Sequence, residues 1–310
     1  MESAIVYRSV AMSKVMALVD RVVATDASVL ITGESGTGKN LLAERIHRLG
    51  SRGKGPFVVV PCANIPADLF ESELFGVEAG AHTEADSRRP GKLEGASGGT
   101  VYLDGVDRLG SPLQAKLLRV VQEKRFERLG GTETVSLDVR FISSASDGLE
   151  ADVGAAGFRE DLYYRLNVVH LRLPPLRERG EDIGPLASHI LRQLSARYGG
   201  GQRRLGADAR QALRSYRWPG NVRELENALE TAVIGSSDEE ISAAALRLPR
   251  GSPAERALRE ALDKKWSLQT LEETYIREVL KAAGGNKSRA AAMLGINRKT
   301  LLQKLRRSAR

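Results

Sequence analysis

The stretch Gly33-Glu34-Ser35-Gly36-Thr37-Gly38-Lys39-Asn40 constrains this chain more than any other part of it. It follows a short apolar run, Ser28 to Thr32, and precedes Leu41 to Leu49, where Leu42, Ile46 and Leu49 recur at helical spacing. The order is strand, loop, helix. G-x-x-x-x-G-K in that setting predicts a loop whose backbone N–H groups curve around phosphate oxygens, with Lys39 meeting the β and γ phosphates at a helix N-terminus. Asn40 stands where the general pattern has a hydroxyl residue for Mg2+, so metal ligation there is expected to be weaker than usual. Asp104, which ends the apolar run Val101 to Leu103, is the expected metal contact.

Further apolar runs at Phe57 to Val60, Thr100 to Leu103, Val139 to Ser143 and Val168 to Leu173 are separated by segments able to hold helices. That alternation predicts an α/β fold with a mostly parallel sheet covered on both faces. After Pro174 and Pro175 no strand pattern is visible, and Ile183 to Tyr198 and Ala207 to Tyr216 read as amphipathic helices. The expected organisation is an α/β nucleotide-binding part over residues 1–173, a helical part over 174–249, a polar linker over 250–266 and an all-α unit over 267–310.

The formal charge of +8 is uneven: residues 281–310 hold four Lys and five Arg with no Asp or Glu, which leaves 38 basic against 39 acidic residues in the rest. Such a terminal piece points at a polyanion. Within it, Asn286 caps a short helix that carries Lys287, Ser288, Ala290, Ala291 and Leu294. Gly295 makes a turn, and Asn297 caps a second helix with Leu301 and Leu305 facing inward. Its outward positions, Arg298, Lys299, Thr300, Gln303, Lys304 and Arg307, are suited to base edges and phosphates of double-stranded DNA. One such unit covers a half-site, so an oligomer on an inverted repeat is expected. Ahead of it, Leu268, Leu271, Tyr275 and Val279, with Ile276 and Leu280 beside them, mark one helix face for core or dimer packing.

The single cysteine, Cys62, excludes an internal disulfide and a cysteine-built zinc site, and reads as a buried small residue rather than a nucleophile. No apolar run approaches the roughly 18 residues of a membrane span. Neither a signal peptide nor a membrane partner is expected, and the compartment expected is the cytoplasm.

The segments GESGTGKN, ESELFG, RRPGKLEGASGGTVYLD, FREDLYYRLNVV, LPPLRERGEDI and WPGNVRELEN, collinear over about residues 5–249, resemble the AAA+ domain of bacterial sigma-54-dependent enhancer-binding proteins. The end, GGNKSRAAAMLGINRKTLLQKLRR, resembles their Fis-type helix-turn-helix. The resemblance implies an AAA+ P-loop NTPase sheet with a helical lid, ATP and Mg2+ as cofactors, and a homo-oligomeric ring that remodels sigma-54 RNA polymerase. It assigns Arg159 and Arg165 to arginine fingers acting on a neighbour's nucleotide, and Arg223 to the lid.

Departures from the family fall on hydrolysis and output. Gly105 stands where a Glu polarises the attacking water, and Asp107 is expected to turn elsewhere and cap or solvate the following segment. Pro61 replaces the Asn that holds that Glu, and Ala145-Ser146 replaces the Thr-Asn sensor. The polymerase-contacting GAFTGA loop is Gly80-Ala81-His82-Thr83-Glu84-Ala85. The family pattern begins almost at Met1, so no receiver or ligand-sensing domain is expected. The first expectation is a DNA-binding, ATP-binding transcriptional regulator with impaired hydrolysis and impaired sigma-54 contact. The alternatives are a working ATPase that remodels the sigma-54 holoenzyme, and a non-catalytic partner of rings formed by related AAA+ regulators.

Overall fold

A computed structural model of the chain describes residues 5–63, 66–80, 87–154, 157–199, 201, 203–236, 238–248, 261–262 and 264–307. Of the altered output loop only Gly80 falls among them; Ala81, His82, Thr83, Glu84 and Ala85 lie outside. Two compact units are present, 1–248 and 249–310.

Five parallel strands form the centre of the first unit: β1 (Val29–Thr32), β2 (Phe57–Pro61), β3 (Thr100–Asp104), β4 (Arg140–Ala145) and β5 (Val169–Arg172). They lie in the order β2-β3-β4-β1-β5. β1 and β4 are buried along their whole length, as strands covered on both faces must be. Alternation sorts the side chains between the faces. Val29, Ile31, Tyr102 and Ile142 pack with Met12, Met16 and Val19 of helix α1 (Val10–Val23) and Leu42 and Ile46 of α2 (Lys39–Leu49). Leu30, Val101, Leu103 and Phe141 pack on the other face with α3 (Ala67–Phe75), α4 (Ser111–Glu123) and α5 (Glu160–Leu166).

Helices α6 (Ile183–Tyr198), α7 (Ala207–Ser215) and α8 (Asn221–Gly235) form a second core around Trp218, which is fully buried and donates its indole N–H to the Leu213 carbonyl at 2.8 Å. This part is not wholly helical as expected: Arg204–Leu205 pairs in parallel with Glu240–Ile241. A two-residue ladder is too short to show the period of a strand. The N-terminal segment is tied to the same region through Asp182, a fully buried carboxylate that accepts the Ser9 N–H at 2.6 Å and the Ser9 hydroxyl at 2.9 Å.

In the second unit, α9 (Leu268–Ala282), α10 (Lys287–Met293) and α11 (Arg298–Arg307) enclose a small core of Ile276, Val279, Ala283, Ala290, Ala291 and Leu301. Ser267 and Asn286 cap the first two helices through their side chains. The expected apolar face of α9 splits: Ile276 and Val279 turn inward, while Leu268 and Tyr275 are exposed. Among the described residues no helix is long and apolar enough to cross a membrane.

Replacing Trp218 by Ala should lower the stability of the first unit by about 3–5 kcal/mol, the range for emptying an aromatic site in a core. Chemical denaturation of the full chain followed by circular dichroism checks this, and an unchanged midpoint would contradict it.

Candidate nucleotide cradle and nucleic-acid-facing helix

The glycine-rich loop joins the C-terminal end of β1 to the first turn of α2. Its five consecutive carbonyl oxygens are each taken by a donor. Lys39 Nζ reaches the carbonyls of Gly33 at 2.6 Å and Glu34 at 3.1 Å. Asn221 Nδ2 donates to the Ser35 carbonyl at 3.0 Å, the Val222 N–H to that of Gly36 at 2.9 Å, and Arg179 to that of Thr37 at 2.7 Å. In a trans peptide the N–H points opposite the C=O, so the amides of Glu34, Ser35, Gly36 and Gly38 turn away from these donors, whereas the Thr37 N–H turns back to the Glu34 carbonyl at 3.4 Å. That side of the loop, together with the N-terminus of α2, suits an anion.

Three of those donors come from the turn that opens α8 or from just before α6, so the loop and the helical part close on one another. Arg223 donates to the Ser35 hydroxyl at 2.9 Å. Arg177 grips the Glu34 carboxylate with two bonds of 2.6 and 2.9 Å, and this guanidinium holds the Glu34 carboxyl below its ordinary range. Gly36 explains the closeness: its φ is +78°, and a Cβ there would stand 2.3 Å from the Gly220 carbonyl oxygen.

Beside the loop lies a cavity of about 340 Å3 lined by Ile5, Val6, Leu41, Leu173, Ile190 and other residues, with Arg179, His189, Gln193 and Glu226 at polar points. Arg179 is buried, and its Nε has no hydrogen-bond partner among the described residues. Sequence reasoning missed this cavity, because its walls come from segments nearly two hundred residues apart.

Lys39 is pushed below its ordinary value by burial, against which Asp104, Asp107 and Asp147 push it back up. At the end of β3, Asp104 Oδ1 accepts the Ser144 hydroxyl at 2.6 Å and lies 3.2 Å from the Tyr102 hydroxyl. The same phenol reaches Asn40 Oδ1 at 2.9 Å, and Asn40 Nδ2 stands 3.3 Å from Asp104 Oδ2. Burial pushes the Tyr102 phenol well up, so it remains a donor. Asp104 Oδ2 thus keeps open lone pairs beside Asn40, an oxygen site that fits a hard cation carried in on phosphates. Cys62, buried with its thiol pushed up to about 12, is no nucleophile near neutral pH.

Asp107 departs from expectation. Instead of capping the next segment, its carboxylate turns inward, and Oδ2 accepts the Ser146 N–H at 3.3 Å. Gly105 makes this possible with a left-handed backbone, φ 80° and ψ 51°. The two candidate finger arginines lie on the surface: Arg159 at the start of α5, paired with Asp161 at 2.8 Å, and Arg165 in its last turn. Among the described residues neither makes a hydrogen bond or ion pair to the loop of its own chain.

In the second unit Arg298, Lys299 and Gln303 are exposed along α11, as are Lys287 and Ser288 at the start of α10. Asn297 accepts both the N–H of Thr300 at 2.8 Å and its hydroxyl at 2.9 Å. Lys304 is turned less outward than its position suggested, half-buried in an ion pair with Glu272 of α9. Of Arg307, the end of α11, only the backbone is described.

Gly36→Ala should destabilise the first unit by about 1–3 kcal/mol, since the new methyl meets a backbone oxygen at a left-handed position. Denaturation midpoints of the two proteins test it; equal midpoints would mean that the turn does not press on the loop.

Residues 5–172 match the sigma-54 interaction domain family, residues 177–259 the AAA+ ATPase lid domain, and residues 267–307 the Fis family of bacterial regulatory proteins. The transcriptional regulatory protein FlbD of Caulobacter vibrioides is 43% identical over 98% of this chain and 70% of its own. The regulatory protein AtoC of Escherichia coli is 44% identical over 92% of this chain and 63% of its own. The chain therefore spans about two thirds of the length of these relatives. The crystal structure of NtrX from Brucella abortus in complex with ATP aligns with a TM-score of 0.73 at 37% identity, covering 98% of this chain and 69% of NtrX. With the sheet, the lid and the terminal helices all accounted for, the chain belongs to the sigma-54-dependent family of bacterial transcriptional regulators, an AAA+ fold joined to a Fis-type helix-turn-helix.

Proposed function

We propose that this chain is a DNA-binding transcriptional regulator of the sigma-54-dependent type that binds ATP, hydrolyses it slowly and makes impaired contact with sigma-54 RNA polymerase. The observation that carries the reading is the glycine-rich loop at the N-terminus of α2, whose Ser35, Gly36 and Thr37 carbonyls are taken by the lid and whose Lys39 lies against the Gly33 and Glu34 carbonyls, within reach of a phosphate in the loop. The ATP-bound NtrX structure, aligned over 98% of this chain, supports the same ligand.

On this reading residues 1–173 bind the nucleotide, 174–249 form the lid, 250–266 link and 267–310 bind DNA. Backbone amides of the glycine-rich loop and Lys39 hold the phosphates, Arg223 senses them from the lid, and the apolar cavity takes the base. Asp104 and the Asn40 side chain would hold Mg2+, which would neutralise phosphate charge there. Arg159 and Arg165 serve a neighbour's site in a homo-oligomer. Slow hydrolysis follows from the glycine at 105, and weak polymerase contact from His82 and Glu84 in the output loop. A cytoplasmic location suits these partners.

Binding of a fluorescent ATP analogue should be measurable and should weaken at least about tenfold in Lys39→Ala. Steady-state turnover should run about two to four orders of magnitude below that of a relative carrying Glu at the 105 position. Robust turnover would overturn the slow-hydrolysis reading, and absence of nucleotide binding would overturn the whole.

For the second unit, Arg298→Ala or Gln303→Ala should cost about 1–3 kcal/mol at a specific site and relax base choice there. Lys299→Ala should weaken all sequences alike and reduce the salt dependence of binding. Footprinting on selected inverted repeats decides it; unchanged protection by the Arg298 and Gln303 variants would remove the recognition assignment.

A further inference from the structure

Three carboxylates act on Lys39, and two are already engaged. Asp147 stands 3.6 Å from the Arg172 guanidinium. Asp104 is held by Ser144 and Tyr102 on one oxygen and faces Asn40 with the other. Asp107 differs. Its Oδ2 accepts the Ser146 N–H at 3.3 Å and lies 3.9 Å from Arg108 Nε, while its Oδ1 has no hydrogen-bond partner among the described residues. The side chain as a whole is only 10% exposed.

Its position is set by the turn that follows β3. Gly105 takes a left-handed conformation that other residues adopt only with strain, and the 3-10 turn Val106–Arg108 follows at once. The two steps fold Asp107 back, so that its Oδ1 lies 4.0 Å from the point where a Cβ on residue 105 would stand. Ser146, its hydrogen-bond donor, directly follows β4. The carboxylate therefore sits beyond the carboxyl ends of two adjacent parallel strands, where ligands of such sheets bind.

We infer that Asp107 is the catalytic carboxylate that activates water in this chain, standing beside the position that has no side chain at 105. The inference rests on the ATP-binding reading above and adds to it the group through which slow hydrolysis proceeds. The water oxygen forms a bond to the γ-phosphorus while the bond from that phosphorus to the β–γ bridging oxygen breaks, and ADP leaves with its electron pair. Asp107 Oδ1 takes the proton that the water loses and returns it to phosphate or solvent. Ser146 N–H on the other oxygen fixes the carboxylate, and no further reactant is needed.

The test uses the full chain, with turnover and fluorescent-nucleotide affinity measured side by side on the unmodified protein, Asp107→Asn and Asp107→Glu. Expected is a drop in kcat of at least about tenfold in Asp107→Asn, with affinity changed less than twofold and partial recovery of kcat in Asp107→Glu. Unchanged turnover in Asp107→Asn overturns the inference. So does a loss of affinity matching the loss of rate, which would mark a structural role, and so does an unmodified protein that binds nucleotide without turning it over. Failure to bind nucleotide at all would defeat the ATP-binding reading itself, and this inference with it.

Discussion

The contact between the glycine-rich loop and the turn that opens α8 is the constraint on which the rest of the first unit depends. Asn221 sits at its centre: fully buried, it donates to the Ser35 carbonyl and the Glu34 carboxylate and accepts the Leu176 N–H at 2.7 Å. One side chain thereby fixes the loop, the start of the helical part and the turn itself. The turn is costly, since Trp218 and Asn221 both have positive φ, 52° and 53°. Strain of this kind amounts to about 1–3 kcal/mol per residue. Burial of the Trp218 indole in the lid core offsets it, so packing remote from the loop holds the loop's carbonyls outward.

The neighbouring strand ends show a different use of polar groups. Tyr102, Ser144 and Asn40 surround Asp104 with hydroxyl and amide groups, and a carboxylate among such partners needs no fixed cation to hold its place. One residue on, the chain has glycine, whose left-handed backbone turns the following residues back toward the sheet. The glycine at 105 thus goes together with a left-handed path of the main chain. The two cannot be separated, because a residue with a Cβ would disfavour that path.

The second unit is built on different terms. Its core is small, dominated by alanines and Leu301, and its α9 leaves Leu268 and Tyr275 exposed. Capping supplies order where burial is limited: Asn286 and Asn297 each satisfy backbone N–H groups at the start of a short helix. The Asn297 cap also takes the Thr300 hydroxyl, so part of the outward face is engaged within the chain. The Lys304–Glu272 pair ties α11 to α9 and takes one cation away from the outer row.

The loop, the parallel strands and the helix-turn-helix were legible in the sequence because each is a local pattern: fixed glycine spacing, apolar runs, helical periodicity and caps. Residue identity also determined that positions 105 and 61 offer no carboxylate or side-chain amide, whatever the fold. Tertiary structure alone decided where Asp107 points, because that depends on how a left-handed glycine turns two residues of backbone toward the end of β4. It alone built the cavity beside the loop from Ile5, Leu41 and Ile190, which no spacing connects. It also set Lys304 against Glu272, a contact across 32 residues that helical periodicity within α11 cannot contain. Local pattern fixes what each segment is, and the packing of segments distant in the chain fixes which of their side chains meet.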